Sequence, residues 1–320
     1  MYADFMGFPF PQHLLMQHTK GLDVHPCVRE LAFFHATSVP PPVTDFKKVL
    51  AEHRWFKAQI ERVGLERNVQ YGLQNPPAGL TREQVFLLTQ EGVKFMCLSY
   101  FTENEYGGGF HAPDAKLTTK GENLIASMVD AGIVIDLSHA GHQTARDALK
   151  RLERYGVRGS VVATHSACHD MYPHLRNLPD DVLLRITDQD GLDGIMGLPT
   201  MTWLLSGDDN TMEPFMRHLE HLINLVGETK VAIGSDGVYA AMDAQEEAVR
   251  FAFMNATLDP DGTIFHARLP EECPDIHGPE RMRVLYHQIA KRFGATIAYN
   301  VTSLNLRYWR HCREKSEAES

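Results

Sequence analysis

The sequence predicts one α/β domain of the (β/α)₈ TIM-type barrel class, and three observations lead to this prediction. Short apolar runs alternate with amphipathic helices from about residue 69 onward, which is typical of a parallel sheet. The runs are continuous rather than alternating in polarity, as in strands that are covered on both faces. Polar residues end several of these runs, and in a barrel such ends meet at the mouth where active sites lie. These residues are Gln74, Tyr100, His139, His165 and Asp236.

An open, doubly wound sheet is the alternative arrangement of such strands and helices. A dinucleotide-binding sheet of that kind carries GxGxxG directly after its first strand. The glycine cluster Gly107–Gly109 does not open a helix in that frame. The polar strand ends therefore favour the barrel.

The predicted elements follow one another in regular order after residue 68. Strands are predicted within 69–74, 95–100, 133–139, 160–166, 192–200 and 230–236. Helices are predicted within 81–92, 117–132, 142–156, 179–191, 211–227, 243–256 and 278–294, and a last apolar run, ATIAYNV (295–301), closes the fold. Thr81 suits a helix N-cap, Pro179 suits a first helical turn, and Gly92 suits a helix stop.

The chain is expected to form a single domain over residues 1–320, with three parts. Residues 1–68 are irregular because prolines interrupt the periodicity, and only 43–64 reads as a helix. Residues 69–310 hold the regular β/α units, and 311–320 form a polar tail. The first strand is the element that the sequence places least well.

Charge and composition exclude several classes of protein. The formal net charge is −10, so binding to nucleic acid or to an anionic membrane surface is not expected. No run of about 18 apolar residues exists that could span a membrane. The five cysteines form no CxxC pair, and a reducing, cytoplasmic location is the simplest interpretation.

His139 and His165 are the strongest candidates for metal ligands. Each follows a buried strand, in DLSH and ATHS, and neighbouring imidazoles of this kind are a common start for a zinc site. Two histidines that only hydrogen-bond the barrel rim are the alternative. The matched settings of the two residues favour the metal.

Asp236 and Arg176 are candidates for contacts with a substrate. A carboxylate at the end of AIGSD could ligate metal, transfer protons or hold an amine, although an aspartate before glycine is also a common turn residue. Arg176, just before a predicted helix, could bind a carboxylate in a bidentate manner. A surface ion pair with Asp180 or Asp181 is the alternative for Arg176.

Three stretches together resemble the membrane dipeptidase (renal dipeptidase) family of metallopeptidases. The stretches are LTTKGENLIASMVDAGIVIDLSHAGHQTARDAL (117–149), VVATHSACHDMYPHLRNLPDDVL (161–183) and HLEHLINLVGETKVAIGSDGVY (218–239). The order of the strand ends matches the family, as does the spacing of His165 and Arg176. The resemblance implies a (β/α)₈ barrel that hydrolyses dipeptides at its C-terminal face and often forms a homodimer.

The resemblance also implies roles for individual residues. His139 and His165 would bind one zinc of a two-zinc site, and Arg176 would hold the carboxylate of the substrate. Asp236 would bind the amine of the substrate and transfer protons. A small-molecule or dipeptide-like substrate is therefore the expected partner.

The sequence departs from the family at the other ligand positions. Near ADFMGF (3–8) it keeps Asp4 but lacks the HxD motif of the first strand, and Asp23 and His25 stand in the wrong order to replace it. The bridging glutamate corresponds to Gln74, and the transition-state histidine corresponds to Tyr100. Tyrosine still offers an O–H donor that can polarise a carbonyl.

Two hypotheses of function follow from this combination of matches to the family and departures from it. The first is a dipeptidase-like hydrolase of amide bonds with at most one zinc per chain, bound by His139 and His165. Asp236 and Tyr100 are then the catalytic residues, and Arg176, Tyr100 and Gln74 contact the substrate. The second is a repurposed or catalytically degenerate barrel that binds a small carboxylate ligand or performs metal-free tailoring chemistry.

Overall fold

The computed structural model describes residues 2–8, 24–38, 45–239, 248–249, 252 and 273–319. The strands are β1 Tyr2–Asp4, β2 Gly7–Phe8, β3 Leu31–Ser38, β4 Val69–Leu73, β5 Val93–Cys97, β6 Val134–Asp136, β7 Val161–Ala163, β8 Ile195–Leu198, β9 Val231–Ile233 and β10 Gly237–Val238. The α-helices are α1 Phe46–Arg62, α2 Arg82–Gln90, α3 Thr119–Asp130, α4 His142–Tyr155, α5 Asp180–Thr187, α6 Thr202–Leu205, α7 Glu213–Val226, α8 Arg281–Phe293, α9 Ala295–Tyr299 and α10 Asn305–Glu319. Three 3₁₀ turns (Pro26–Glu30, Glu228–Lys230, Pro274–Ile276) and a π-helical turn (Asn300–Leu304) complete these elements.

Eight parallel strands form the main sheet in the order β1-β3-β4-β5-β6-β7-β8-β9. The two ends of this sheet meet just beyond the strands, because the Phe5 N–H donates to the Ile233 carbonyl at 2.7 Å. The Asp236 N–H likewise donates to the Met6 carbonyl at 2.7 Å, and β10 pairs with β2 in parallel. The chain is therefore an α/β protein with the predicted barrel architecture.

The barrel interior is filled by side chains that nearly every strand contributes. Ala3, Phe95, Val134, Val162, Ile195 and Ala232 belong to one buried cluster, which Leu306 of α10 joins. A larger cluster packs the outer faces of the strands against the helices. At Gly72 of β4, an added Cβ would lie 2.3 Å from the Phe95 ring, so glycine is required for this ring to fit.

Local signals in the sequence explain where the helices begin and end. Thr81 caps α2 and forms a capping box with Gln84, as the sequence predicts for this N-cap. Gly92 and Gly156 follow α2 and α4 with positive φ values of 97° and 65°. Pro179 is the N-cap of α5 and precedes its first turn by one residue.

The N-terminal part contains more regular structure than the sequence predicts. The first strand lies at Tyr2–Asp4 and overlaps the start of the segment 3–8 that the resemblance indicated, and β3 is a strand that the sequence does not predict. Helix α1 confirms the helix predicted within 43–64. The helix predicted at 243–256 falls almost entirely outside the described residues.

Residues 295–301, the apolar run that the sequence predicts to close the fold, are helical. They form α9 and the start of the π-helical turn, because β1 and β9 already complete the sheet. Asn305, which follows this turn, donates from its side chain to the Val231 carbonyl at 2.8 Å. The apolar residues of this segment therefore pack at the base of the barrel, where β9 begins.

Among the residues that the structure describes, no helix has the length and apolar character that crossing a membrane requires.

His218 of α7 is buried, and both nitrogens of its ring contact backbone groups of neighbouring segments. Its Nδ1 accepts from the Cys168 N–H at 3.3 Å, and its Nε2 contacts the Leu205 carbonyl at 3.0 Å, so the neutral ring satisfies both partners. Burial lowers the pKa of His218 to about 4, and the nearby positive charge of Arg217 and the His221 ring act in the same direction.

We predict that this histidine makes the fold less stable in acid. Because the folded-state pKa lies below that of the unfolded chain, stability falls as the pH drops from about 6.5 towards 4. Between pH 7 and pH 5 the loss from this group should be about 2 kcal/mol. Urea unfolding at both pH values measures it, and His218→Gln should show a pH-dependent loss smaller by that amount. Equal pH dependence in the two proteins would contradict the prediction.

Candidate functional site at the barrel mouth

The structure brings the predicted polar residues together at one end of the barrel. His139 and His165 lie with their Nε2 atoms 3.0 Å apart, and the Gln74 Nε2 lies 3.2 Å from the Nε2 of His165. The ring of Tyr100 stacks on His139 with centroids 4.0 Å apart and planes inclined by 23°. The Asp236 Oδ1 lies 4.0 Å from the His165 Nε2. All five residues follow strands of the barrel, as the sequence predicts.

His165 is held by a polar network that the sequence analysis did not identify. Its Nδ1 lies 2.7 Å from the Thr164 Oγ1, and Thr164 donates to a carboxylate oxygen of Asp136. Asp136 is the last residue of β6, and it also accepts from the Ser138 hydroxyl at 2.6 Å and from the Thr164 N–H at 3.1 Å. A buried aspartate that ends an apolar strand in IVIDLSH is the signal that could have indicated it.

His139 has a different environment from His165. Its Nδ1 is buried and has no hydrogen-bond partner among the described residues, while its ring packs against Tyr100 and lies near Phe110. Burial, followed by the positive charge of Arg176, lowers the pKa of His139 well below its usual range, and the same two causes lower the pKa of His165. Both imidazoles are therefore neutral at neutral pH, as a metal ligand or a general base must be.

Arg176 lies directly behind the two histidines, not on the surface. It is 2% exposed, and it donates to the carbonyl of Ser138, to the carbonyl of His165 at 3.0 Å and to the Ser166 hydroxyl at 3.1 Å. These contacts use three of its five N–H donors. The guanidinium therefore joins the backbone just beyond β6 to the backbone just beyond β7. The alternative of a surface ion pair is wrong, because Asp181 pairs with Arg146 instead.

Asp236 and Tyr100 complete the mouth. The side chain of Asp236 is 25% exposed, and its backbone has a positive φ of 58°, which is unusual for a residue other than glycine. Tyr100 is half-buried, and its burial together with the nearby Asp236 raises the pKa of its phenol. Tyr100 is therefore a neutral O–H donor at this site.

Asp4 lies at the end of the first strand, where its carboxylate has a structural role. Its carboxylate accepts from the Met6 N–H at 3.0 Å, from the Ser235 N–H at 2.9 Å, from the Ser235 hydroxyl at 2.5 Å and from the Tyr239 hydroxyl. These four hydrogen bonds occupy the acceptor sites of the carboxylate. Asp4 thus fastens the turn that carries Asp236 to the end of β1.

The metal-binding atoms of the side chains at the mouth fit one metal ion and do not fit two. Two imidazole nitrogens at about 2.0–2.1 Å from one zinc ion can lie 3.0 Å apart, as His139 and His165 do. Asp236 at 4.0 Å from His165 could share that ion only in a nearly linear arrangement. No group of three or more His, Cys, Asp and Glu side chains suited to a metal occurs within the described part of the chain. The carboxylate of Asp4 is already bonded to protein donors, so it is not available to neutralise a second ion.

Comparison with known proteins agrees with this architecture. The family model described as membrane dipeptidase (Peptidase family M19) matches residues 79–262, which is more than half of the chain. The chain belongs to the membrane dipeptidase family. This confirms the resemblance that the strand-end motifs indicated.

Individual relatives share only part of their length with this chain. Dipeptidase aclJ of Aspergillus oryzae is 32% identical over 149 residues, which are 45% of this chain and 34% of that protein. The chain thus spans about a third of the length of this curated relative, and dipeptidase tcpJ of Claviceps purpurea shows a similar share of 33% at 30% identity.

A solved structure covers nearly the whole chain. An amidohydrolase from Pseudomonas aeruginosa superposes with a TM-score of 0.75 at 20% identity, over 97% of this chain and 95% of that one. At this identity the likeness establishes the fold. The predicted fold class is therefore confirmed.

We predict that Arg176→Lys destabilises the protein although it keeps the charge. A lysine cannot reach both carbonyls with the planar geometry of a guanidinium, so buried carbonyl oxygens lose their donors. The free energy of unfolding should fall by about 2–4 kcal/mol, the scale of one or two charge-assisted hydrogen bonds. Denaturant unfolding at neutral pH measures this change.

Arg146→Lys is the matched control for this substitution. Arg146 also binds through two N–H groups, but its partner is the exposed Asp181, so its loss should cost less than about 1 kcal/mol. Equal effects of the two substitutions would contradict a structural role for Arg176.

Proposed function

We propose that this protein is a dipeptidase-like hydrolase of amide bonds in small, carboxylate-bearing substrates, with at most one zinc ion at the barrel mouth. The observation that carries the proposal is the pair of neutral imidazoles whose Nε2 atoms lie 3.0 Å apart in a member of this family. His139 and His165 would hold the ion. A zinc ion in such a place supplies a water molecule of lowered pKa.

The remaining residues of the mouth have separate tasks in this proposal. Asp236, partly exposed and near His165, would hold the amine of the substrate and accept or return a proton. Tyr100 would donate its O–H to the carbonyl oxygen under attack, and the Gln74 amide would contact the substrate. The N–H groups of Arg176 that the protein leaves unused would bind the carboxylate.

A repurposed barrel is the second candidate, and a specific contact favours it. The Gln74 amide nitrogen lies 3.2 Å from the Nε2 of His165, which is the atom that would bind the metal. A neutral amide at this position cannot offset the charge of two dications. In this candidate, the mouth binds a small carboxylate ligand, or performs chemistry without metal, through the same residues.

We predict at most one tightly held zinc ion per chain. Metal analysis of the purified protein after zinc loading should give one equivalent or less, and His139→Ala or His165→Ala should remove what is bound. His53→Ala is the matched control, because His53 is also buried but bonds the Glu91 carbonyl on the outer helices. Two retained equivalents would contradict the prediction and would require ligands outside the described residues.

We predict that turnover of simple dipeptides is far below that of a relative with two metal ions. Loss of a single oxyanion donor costs about 10²–10³ in rate, and loss of a metal should cost more. A dipeptide hydrolysis assay with a zinc titration measures this. Weak turnover that zinc raises and His139→Ala abolishes would support the hydrolase.

Other results of the same assay have clear consequences. Rapid turnover would show that the reduced ligand set suffices for the ordinary reaction. No turnover at any zinc concentration, together with ligand binding that requires Arg176, would overturn the hydrolase and support the repurposed barrel. The homodimer and the cytoplasmic location remain predictions that size-exclusion chromatography and cell fractionation can check.

A further inference from the structure

The hydrogen atoms of the mouth can be assigned from the contacts of Asp136. An ionised carboxylate only accepts hydrogen bonds, so each hydroxyl beside it donates its single proton to it. The Ser138 hydroxyl donates to one oxygen of Asp136 at 2.6 Å, and the Thr164 hydroxyl donates to the other. Thr164 therefore has no proton left for its second close partner, the Nδ1 of His165 at 2.7 Å. That nitrogen must carry the hydrogen and donate it to Thr164.

A second contact is compatible with this result on the other side of the ring. The Gln74 amide nitrogen lies 3.2 Å from the Nε2 of His165, and an amide nitrogen donates to the lone pair that this tautomer leaves on Nε2. The amide of Gln74 can adopt either orientation, so the relay through Thr164 is what assigns His165 to the Nδ1–H tautomer.

The tautomer of His139 follows from that of His165. The two Nε2 atoms are 3.0 Å apart, and two lone pairs at this distance would repel each other. Since His165 accepts, the His139 Nε2 must donate, and it shares the one lone pair of the His165 Nε2 with the Gln74 amide. Its Nδ1 then carries the lone pair, and this is the buried atom that lacks a partner among the described residues.

We infer that Asp136 and Thr164 are positioning residues for His165. They hold its ring in the Nδ1–H tautomer, which leaves the Nε2 lone pair ready to bind a metal ion. The neighbouring His139 is in the opposite tautomer, with its hydrogen on Nε2. The inference rests on the proposed function only for the role of His165 as a ligand. Outer residues of this kind usually fix the tautomer of a ligating histidine. Here the relay Asp136–Thr164 serves one histidine of the pair and leaves the other without such a partner.

Nitrogen NMR of the imidazoles tests this assignment without substrate or metal. In the metal-free protein at neutral pH, long-range ¹H–¹⁵N spectra should show a protonated Nδ1 for His165 and a protonated Nε2 for His139. The spectra of His139→Gln and His165→Gln identify which ring gives which signal. The same tautomer on both rings, or the reverse pair, would overturn the inference.

Three substitutions distinguish the effect of the Asp136–Thr164 relay on the tautomer of His165 from a general effect on packing. Thr164→Val keeps the shape but removes the hydroxyl, so His165 should lose its preference for Nδ1–H. Thr164→Ser should restore the preference. Thr302→Val removes an equally buried hydroxyl that bonds the Ala298 carbonyl at 2.7 Å, far along the chain from the mouth, and should change neither ring. An unchanged His165 in Thr164→Val would overturn the role of the relay.

Zinc binding gives a second measurement on the same variants. Calorimetric titration with zinc chloride should show affinity lower by about 10–100-fold in Thr164→Val and unchanged affinity in Thr302→Val. Absence of dipeptide turnover would count against the proposed function alone, because the tautomers are read without it. Spectra that contradict the assignment, with turnover intact, would overturn this inference alone.

Discussion

The side-chain hydrogen bonds that join the ends of β6 and β7 determine where the chemistry of this protein can take place. The sheet ladder between these strands covers only a few residues, and beyond it Asp136 accepts from the Thr164 N–H while Arg176 donates to the carbonyls of Ser138 and His165. The buried acceptor Asp136 and the buried donor Arg176 thus hold together the two loops that follow β6 and β7. Because buried polar groups that lose their partners are strongly unfavourable, we expect removal of either group to disturb the loops that carry the histidines.

At the same end of the barrel, two residues that the resemblance places at or near metal-ligand positions bond to protein groups instead. Asp4 stands at the end of the first strand, yet its carboxylate is committed to Ser235, Met6 and Tyr239 and so holds the turn of Asp236. Gln74 contacts His165 directly and carries no charge. Hydrogen bonds between protein groups therefore stabilise the mouth in places where a binuclear centre would need carboxylates facing its ions.

The sequence allowed the barrel and the residues of its mouth to be predicted, because both depend on local patterns. Continuous apolar strands that end in a polar residue indicate a parallel barrel, and His139 and His165 lie where their strands end. The interactions of Arg176 could not be predicted, since its acceptors include backbone carbonyls that lie 38 and 11 positions away in the sequence. The helical structure of segment 295–301 could not be predicted, because a short apolar run fits a strand and a buried helix equally well. The closure of the sheet between β1 and β9 leaves no place for a further strand, and so the segment is a helix.

The opposite tautomers inferred for the two histidines would give a physical reason for the weak metal binding that we propose. A metal ion at both Nε2 atoms requires His139 to transfer its proton to Nδ1, where the described residues offer no acceptor. It also removes the contacts that Gln74 and His139 make with His165. The lone pair of His165 accepts the equivalent of one hydrogen bond, worth about 0.5–1.5 kcal/mol, which would lower the affinity for metal by about 2–12-fold. A metal ion at this mouth would therefore have to compete with the protein for the lone pair of His165.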